Sequence, residues 1–246
     1  MSIEKIKKNT TRKSEARFGL WQLISPTLPV GAYSFSQGLE MAIEQGWIHD
    51  QDTAYDWISG VASKNMSQLD LPILIRCYRA TLVDSISDLE HWNSLLISSR
   101  ETHELRMEDV QMGQALLRVM NGIESEESNS AYLKTLKKVK EHMGEKPELS
   151  YACSFALATS YWQISLEDAC AGYLWAWCEN QVAAAIKLVP LGQTAGQQLL
   201  RKLAAGLPEI QTDALNYEDD EIGSTMMGLA MVSSWHETQY TRLFRS

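Results

Sequence analysis

Apolar residues recur at helical spacing along most of this chain, and short apolar runs bounded by glycine or proline, which would indicate strands, are scarce. Strong helix formers also dominate the sequence. The pattern predicts an all-α, single-domain bundle of about ten helices. The predicted helices cover residues 34–46 and 52–66, a segment that starts at 70, and residues 87–121, 132–143, 150–163, 165–187, 191–206, 208–218 and 224–240.

Residues with known capping preferences mark several of these helix ends. Gly46 ends the first predicted helix, and Asp50 or Asp52 begins the next. Asp70 with Pro72 marks another start, because the N–H that proline lacks would have no partner in a first turn. These residues therefore predict where three of the helices begin or end.

The tetrapeptide SDLE at residues 87–90 fits a capping box, in which a serine hydroxyl and a glutamate carboxylate accept from each other's free amides. The helical pattern then continues without a break towards residue 121, which predicts one long helix. Residues 122–130 are polar and acidic, and they predict a loop.

The predicted helix at residues 165–187 is apolar on nearly every side, which is typical of a central helix in a bundle. Its Glu179, Asn180 and Gln181 would be costly to bury without partners. They predict either an internal hydrogen-bonded network or a partly exposed strip, or else a polar patch for a partner or a passage for an ion. Lys187, in the last turn, interacts favourably with the helix dipole.

Charge is distributed unevenly along the chain. The first 17 residues hold six Lys or Arg against two Glu, whereas the formal net charge of the whole chain is -9. The pattern predicts a basic, disordered tail at residues 1–17, followed by a helical domain at residues 18–246. The acidic domain argues against nucleic-acid binding, which needs a basic surface to neutralise phosphates.

The cysteines and the hydropathy of the chain predict its cellular compartment. Cys77, Cys153, Cys170 and Cys178 lie in apolar contexts without CxxC spacing, which predicts buried thiols in a reducing compartment. No apolar run is long enough to span a membrane, and the N-terminus lacks the apolar region of a signal peptide. We therefore expect a cytoplasmic protein without a membrane segment.

None of the common catalytic templates fits the sequence. His103 and His236 are each followed by glutamate, as in the HExxH zinc motif, but Met107 and Tyr240 stand where the second histidine is required. Residues 192–197 lack the lysine and the preceding strand of a phosphate-binding loop. The sequence therefore predicts a protein that is not an enzyme. Direct metal binding through His236 or Cys178 is the competing hypothesis.

Two segments are unusually aromatic for a plain helical bundle. Residues 28–38 contain Tyr33 and Phe35 beside glycine and proline, and the two aromatic side chains fit a core or an interface equally well. The last twelve residues contain Trp, Tyr, Phe and Arg, which include the residue types enriched at binding hot spots. This C-terminus docks either on a partner or on the core of its own chain.

Four segments carry a resemblance. They are SPTLPVGAYSFSQGLE at residues 25–40, RETHELRMEDVQMGQALLR at 100–118, ENQVAAAIKLVPLGQTAGQQLL at 179–200 and HETQYTRLFRS at 236–246. In this order and at this spacing they closely resemble the UreF family of urease accessory proteins. The resemblance covers nearly everything from residue 18 to the end, and the departures fall at the basic tail and at residues 122–147.

The resemblance implies an all-helical, dimeric protein without enzymatic activity. UreF-like proteins bind UreD, also called UreH, and that complex recruits the GTPase UreG, which carries nickel for insertion into apo-urease. The resemblance therefore implies no stably bound cofactor in this chain, because the complex handles the nickel. It also implies that residues 236–246 dock UreD and that Lys187 lies in a stretch linked to UreG.

These considerations select a set of candidate partner-binding residues. They are Tyr33, Phe35, Lys187, Gln193, His236, Tyr240, Arg242, Phe244 and Arg245. A further hypothesis is that the chain modulates GTP hydrolysis by UreG, which requires an arginine or glutamine that reaches the nucleotide of the partner. Gln193, Arg242 and Arg245 are the candidates for that contact.

Overall fold

Helices make up nearly all of the regular structure. The computed structural model describes residues 3–125 and 130–246, with side chains described from residue 13 onwards in these ranges. There the chain forms twelve α-helices and no β-strand, which confirms the predicted all-α, single-domain fold. The helices are α1 (Ile3–Leu23), α2 (Leu39–Glu44), α3 (Gln51–Val61), α4 (Leu71–Leu82), α5 (Ile86–Ser98), α6 (His103–Glu124), α7 (Ala131–Met143), α8 (Tyr151–Tyr161), α9 (Leu166–Leu188), α10 (Gln193–Ala204), α11 (Leu207–Asn216) and α12 (Met227–His236).

Two large hydrophobic clusters form the core. Helices α4 and α8 pack against each other in the first cluster, which contains the fully buried Leu74 and Phe155. The second cluster joins α2, α3, α9 and α10 through residues such as Val182 and Leu199. None of the helices in the described ranges is both long and apolar enough to cross a membrane.

Helix α9 links the two clusters, as expected for a helix with apolar residues on nearly every side. Its Leu174 belongs to the first cluster, and its Cys178 belongs to the second. The polar triplet in the middle of α9 is divided between environments. Gln181 is buried, Glu179 is partly exposed, and the Asn180 amide donates to the Phe35 carbonyl at 3.2 Å. Burial raises the pKa of Glu179.

The prediction of one long helix over residues 87–121 is wrong, because the chain breaks between α5 and α6. The Thr102 hydroxyl caps α6 by accepting from the Leu105 amide at 3.2 Å, and this side-chain bond favours a new helix start. The predicted capping box is also wrong, since Ser85 rather than Ser87 caps α5. Between the two helices, Arg100 turns into the core.

Two other predicted helices begin elsewhere. The helix predicted at residues 34–46 begins only at Leu39, because Gln37 and Gly38 have left-handed backbone angles, φ 53° and φ 75°, that interrupt a right-handed helix. The predicted start at Asp70 is wrong, because a π-helical stretch, Ala62–Asp70, joins α3 to α4 without a break. The wider turn places Asp70 in the protein interior.

The two ends of the chain also differ from expectation. The backbone of residues 3–17 belongs to α1, so this helix crosses the boundary predicted at residue 18. The predicted loop at residues 122–130 begins inside α6, and residues 126–129 lie outside the described part of the chain. The last predicted helix ends early, at His236, and the ten residues that follow contain no helix.

Candidate functional site

The four segments that carry the family resemblance meet in one region. The Arg245 amide donates to the Ser34 carbonyl at 2.8 Å, and the Gln37 side-chain amide donates to the Glu108 carboxylate at 2.7 Å. The Trp177 indole, two residues before the third segment, donates to the Gln37 side-chain oxygen at 2.7 Å. We call residues 237–246 the C-terminal segment and the surface that receives it the docking site.

Glu40 holds the main chain of the C-terminal segment. Its two carboxylate oxygens accept from the amides of Leu243 and Phe244 at 2.7 and 2.8 Å. Because these bonds use the backbone of the segment, they fix its course whatever side chains it presents. Hydrogen bonds to a carboxylate are stronger than those between neutral groups, which suits an anchor for irregular chain.

A second carboxylate, that of Glu104, contacts the residue before the segment and a residue in its middle. It lies 2.7 Å from Nδ1 of His236 and 2.5 Å from the Arg242 guanidinium. Nε2 of His236 lies 3.4 Å from Glu40, so the imidazole bridges the two carboxylates. His236 is wholly buried, and a buried polar ring of this kind requires such partners. The geometry makes His236 a positioning residue for the segment.

The end of the segment is buried as well. The Ser246 hydroxyl donates to Glu108 at 2.6 Å, and the Ser36 amide donates to the main-chain oxygen of Ser246 at 2.9 Å. The Phe244 ring is only 6% exposed and packs in the second hydrophobic cluster. Nζ of Lys187 lies 5.5 Å from the centre of that ring, a cation–π contact that links the segment to the end of α9.

Burial raises the pKa of Glu108 to about 7, although hydrogen bonds from Ser246 and Gln37 favour the ionised form. The folded chain therefore holds a proton that the unfolded chain releases near 4.5, the ordinary pKa of a glutamate side chain. The stability that this proton provides is complete below pH 4.5 and is lost as the pH rises to about 7. The docking site consequently contains an ionisable group that titrates near neutral pH.

We expect Glu108→Gln to remove this pH dependence. Between pH 5 and pH 8 the free energy of unfolding of the variant should rise, relative to that of the wild type, by about 2 kcal/mol. Urea denaturation at several pH values measures the difference. Glu101→Gln, which replaces an exposed carboxylate, is the control and should parallel the wild type. Parallel curves for Glu108→Gln and wild type would contradict the prediction.

The candidate partner-binding residues divide into two groups. Phe35, His236 and Phe244 are buried, so they support the site from beneath rather than face a partner. Tyr33 is 69% exposed, Tyr240 is fully exposed, and Gln193, Lys187, Arg242 and Arg245 are also exposed, with Arg242 paired to Glu104. The sequence left open whether Tyr33 and Phe35 lie in the core or at the surface. In the structure, Phe35 belongs to the core and Tyr33 to the surface.

A groove on the surface contains two of the exposed candidates, Tyr33 and Gln193. It has a volume of about 290 Å³ and lies between residues 23–33 and the helices α9 and α10. Tyr33, Glu179 and Gln193 line it. The groove places the first and third of the resembling segments on one surface.

Sequence reasoning missed the residues that hold the site together. Glu40, Glu104 and Glu108 lie inside the resembling segments, but no motif identifies them as anchors. The available signal was the position of Glu104 and Glu108, four residues apart and next to the apolar Leu105 and Met112, which puts both carboxylates on one helix face.

A buried ionic network lies beside the docking site. The Arg100 guanidinium contacts the carboxylates of Asp70 and Asp109 at 2.6 and 2.8 Å. Asp109 also accepts from the Tyr151 amide at 2.7 Å, and Asn65 donates to Asp70 at 3.2 Å. Burial raises the pKa of Asp70, although Arg100 opposes the shift. A cavity of about 70 Å³ adjoins this network and Glu108.

Close packing of α6 and α8 supports the network. A Cβ added at Gly113 would lie 2.1 Å from the Leu149 carbonyl, so only glycine permits this approach. The approach brings Asp109 to the first turn of α8. Among the described residues, His, Cys, Asp and Glu side chains form no cluster of three or more suited to a metal ion. His236 is instead held between two carboxylates.

Comparison with known proteins identifies the family to which the chain belongs. A family model named UreF matches residues 48–204. The urease accessory protein UreF of Alkalilimnicola ehrlichii is 45% identical over 96% of this chain and 98% of its own length. Those of Chromohalobacter salexigens and Teredinibacter turnerae are each 41% identical, over 93% and 92% of this chain and 94% and 97% of their own lengths. The chain is thus an all-helical urease accessory protein. Within that class, the chain belongs to the UreF family.

Proposed function

We propose that the chain is an assembly factor for urease that binds UreD, also called UreH, through the outer face of its C-terminal segment. The observation that carries the proposal is the division of this segment into two faces. Its inner face is anchored by Glu40, Glu104 and Glu108, whereas Tyr240 and Leu243 are exposed. A segment anchored in this way presents apolar and aromatic side chains in a defined arrangement.

The energetic reason lies in preorganisation. Binding through an unstructured tail would require the partner to offset the conformational entropy of ordering about ten residues. The anchoring bonds from the chain's own carboxylates offset part of that entropy before the partner arrives. Large exposed aromatic side chains such as Tyr240 then bury apolar area on binding, as hot-spot residues do.

In the same proposal, the complex recruits the GTPase UreG, which carries nickel, and delivers the metal to apo-urease. This chain then requires no stably bound cofactor, and it acts in the cytoplasm as a homodimer. The exposed Lys187 is the proposed contact for communication with UreG. Its cation–π contact with Phe244 supports the idea that the two partner surfaces influence each other.

We expect Tyr240→Ala to abolish capture of UreD by the purified chain and to leave its stability within about 0.5 kcal/mol of wild type. The reason is that the Tyr240 side chain is fully exposed and supports nothing beneath it. A pull-down with tagged UreD, paired with urea denaturation, measures both quantities. This substitution is a sharper test than deletion of residues 236–246, which would also remove the buried His236 and Phe244.

Phe18→Ala, at another exposed aromatic residue, is the matched control and should bind UreD normally. Undiminished capture by Tyr240→Ala would count against the assignment of the C-terminal segment. GTP turnover by UreG, measured with and without the complex, tests whether the chain modulates hydrolysis. For that role Arg245 and Gln193 are available at the surface, whereas Arg242 is paired with Glu104.

A further inference from the structure

Two of the four cysteines are in contact inside the protein. Cys77 on α4 and Cys153 on α8 are fully buried, and their sulfur atoms lie 2.7 Å apart. Both side chains carry free thiols in this structure. The two helices pack directly against each other in the first hydrophobic cluster, so the contact lies between rigid elements rather than in a mobile loop.

From this geometry we infer that Cys77 and Cys153 are an oxidation site, at which a peroxide joins the two thiols in an intramolecular disulfide. Disulfide formation requires the two Cα atoms to be less than about 7 Å apart and the side chains to face each other. Sulfur atoms in direct contact across a helix pair satisfy the second requirement without large movement of either helix.

The remaining cysteines provide an internal comparison. Cys170 and Cys178 both lie on α9, and they pack in different hydrophobic clusters. Eight residues of α-helix separate their Cα atoms by about 12 Å, which is too far for a disulfide. The fold therefore distinguishes one oxidisable pair from two isolated thiols.

The chemistry has two steps. One thiolate attacks hydrogen peroxide, which yields a sulfenic acid and releases hydroxide, protonated to water. The second thiol then attacks the sulfenic sulfur, forms the S–S bond and releases another water. The two thiols lose two electrons and two protons in total, and the peroxide is reduced to two molecules of water.

Access controls when this reaction occurs. Burial raises the pKa of the Cys77 thiol, which keeps the reactive thiolate scarce in the folded chain. Oxidation is therefore slow in the native state and faster while the chain folds or opens. A chain that folds under oxidising conditions therefore acquires the disulfide. The closed native core then shields that disulfide.

The position of the link determines its effect. It joins residues 76 positions apart and encloses α5, α6 and α7, including Glu104 and Glu108 of the docking site. Cross-linking so long a loop restricts the unfolded chain and stabilises the folded one. Oxidation should therefore stabilise the helices that hold the C-terminal segment.

The test uses the full chain, unfolded in urea and refolded with hydrogen peroxide. Thiols titrated under denaturing conditions should fall from four to two, and the mass should fall by that of two hydrogen atoms. Peptide mapping should join Cys77 to Cys153, and the oxidised chain should melt at a higher temperature until dithiothreitol is added. A native sample given the same peroxide should react more slowly.

Two variants separate this outcome from general oxidation. Cys77→Ala should retain its three thiols unlinked, whereas Cys170→Ala/Cys178→Ala should lose both of its thiols. Four titratable thiols after refolding, oxygen addition without a cross-link, or a link mapped to other cysteines would each overturn the inference. If Cys77→Ala does not fold, mapping in the wild type and in the double variant decides the question.

Discussion

Replacing Arg100 by methionine should lower the free energy of unfolding by about 4 kcal/mol. Arg100 is 11% exposed and contacts the carboxylates of Asp70 and Asp109. Methionine fills a similar volume but leaves both carboxylates buried without a cation. That penalty is larger than the net contribution of an ion pair, because it includes the desolvation of two unpaired charges.

Urea denaturation measures the loss, and Arg106→Met is the matched control. Arg106 pairs with Glu148 at the surface, where an ion pair contributes about 1 kcal/mol or less. Adding Asp70→Asn and Asp109→Asn to Arg100→Met should recover part of the stability, because it removes the unpaired charges. A loss no greater than that of Arg106→Met would show that the network is solvated rather than buried.

Replacing Phe244 by alanine should cost about 3 kcal/mol and release the C-terminal segment from its docking site. The ring is buried in the second hydrophobic cluster and also receives the Lys187 ammonium. Without it, the hydrogen bonds that Glu40, Glu104 and Glu108 accept from the segment must compete with water without the support of a buried ring. We therefore expect capture of UreD to fail together with docking of the segment.

Trypsin provides the direct measurement, because Arg242 and Arg245 lie in the segment and cleavage requires its release. Cleavage at these sites should become much faster in Phe244→Ala, while urea denaturation reports the loss of stability. Leu243→Ala, one residue earlier at a 65% exposed position, is the control and should change neither measurement by much. Equal cleavage rates in the two variants would exclude Phe244 as the anchor.

The parts of the fold that could be predicted are those with local causes. The helices at residues 132–143, 165–187 and 191–206 appear within two residues of the predicted limits as α7, α9 and α10. Their periodic apolar residues, the Ser165 cap and the glycine after α7 are local signals that need no distant partner. The central position of α9 was likewise predictable, since an apolar surface on all sides requires burial.

The errors occurred where a distant contact overrides the local pattern. The break between α5 and α6 lets Arg100 reach Asp70, thirty residues earlier in the chain. The delayed start of α2 leaves Gln37 free to bond Glu108, at a sequence separation of 71. In both places the residues are compatible with a helix, and only the buried polar partners make the interruption favourable.

The candidate site shows the same division between local and distant causes. Residue types alone identified the aromatic C-terminus and the turn around Tyr33 as unusual. Aromatic residues and arginines are enriched at binding hot spots, so a cluster of them at a chain end or in a turn indicates an interface. They could not separate Phe35 from Tyr33, since both fit a core or a surface. Three-dimensional packing buries one and exposes the other.

The local order of apolar and polar residues was thus enough to establish a helical bundle with an acidic surface and no catalytic motif. The place of residues 237–246 depended on the fold, because each anchor is remote in sequence. Glu40 bonds to Phe244 across 204 positions, and Glu108 bonds to Ser246 across 138. The spacing of apolar residues reflects interactions between positions only a few residues apart. Pairs such as Glu40 and Phe244 form only after the whole core has brought α2, α6 and α12 together.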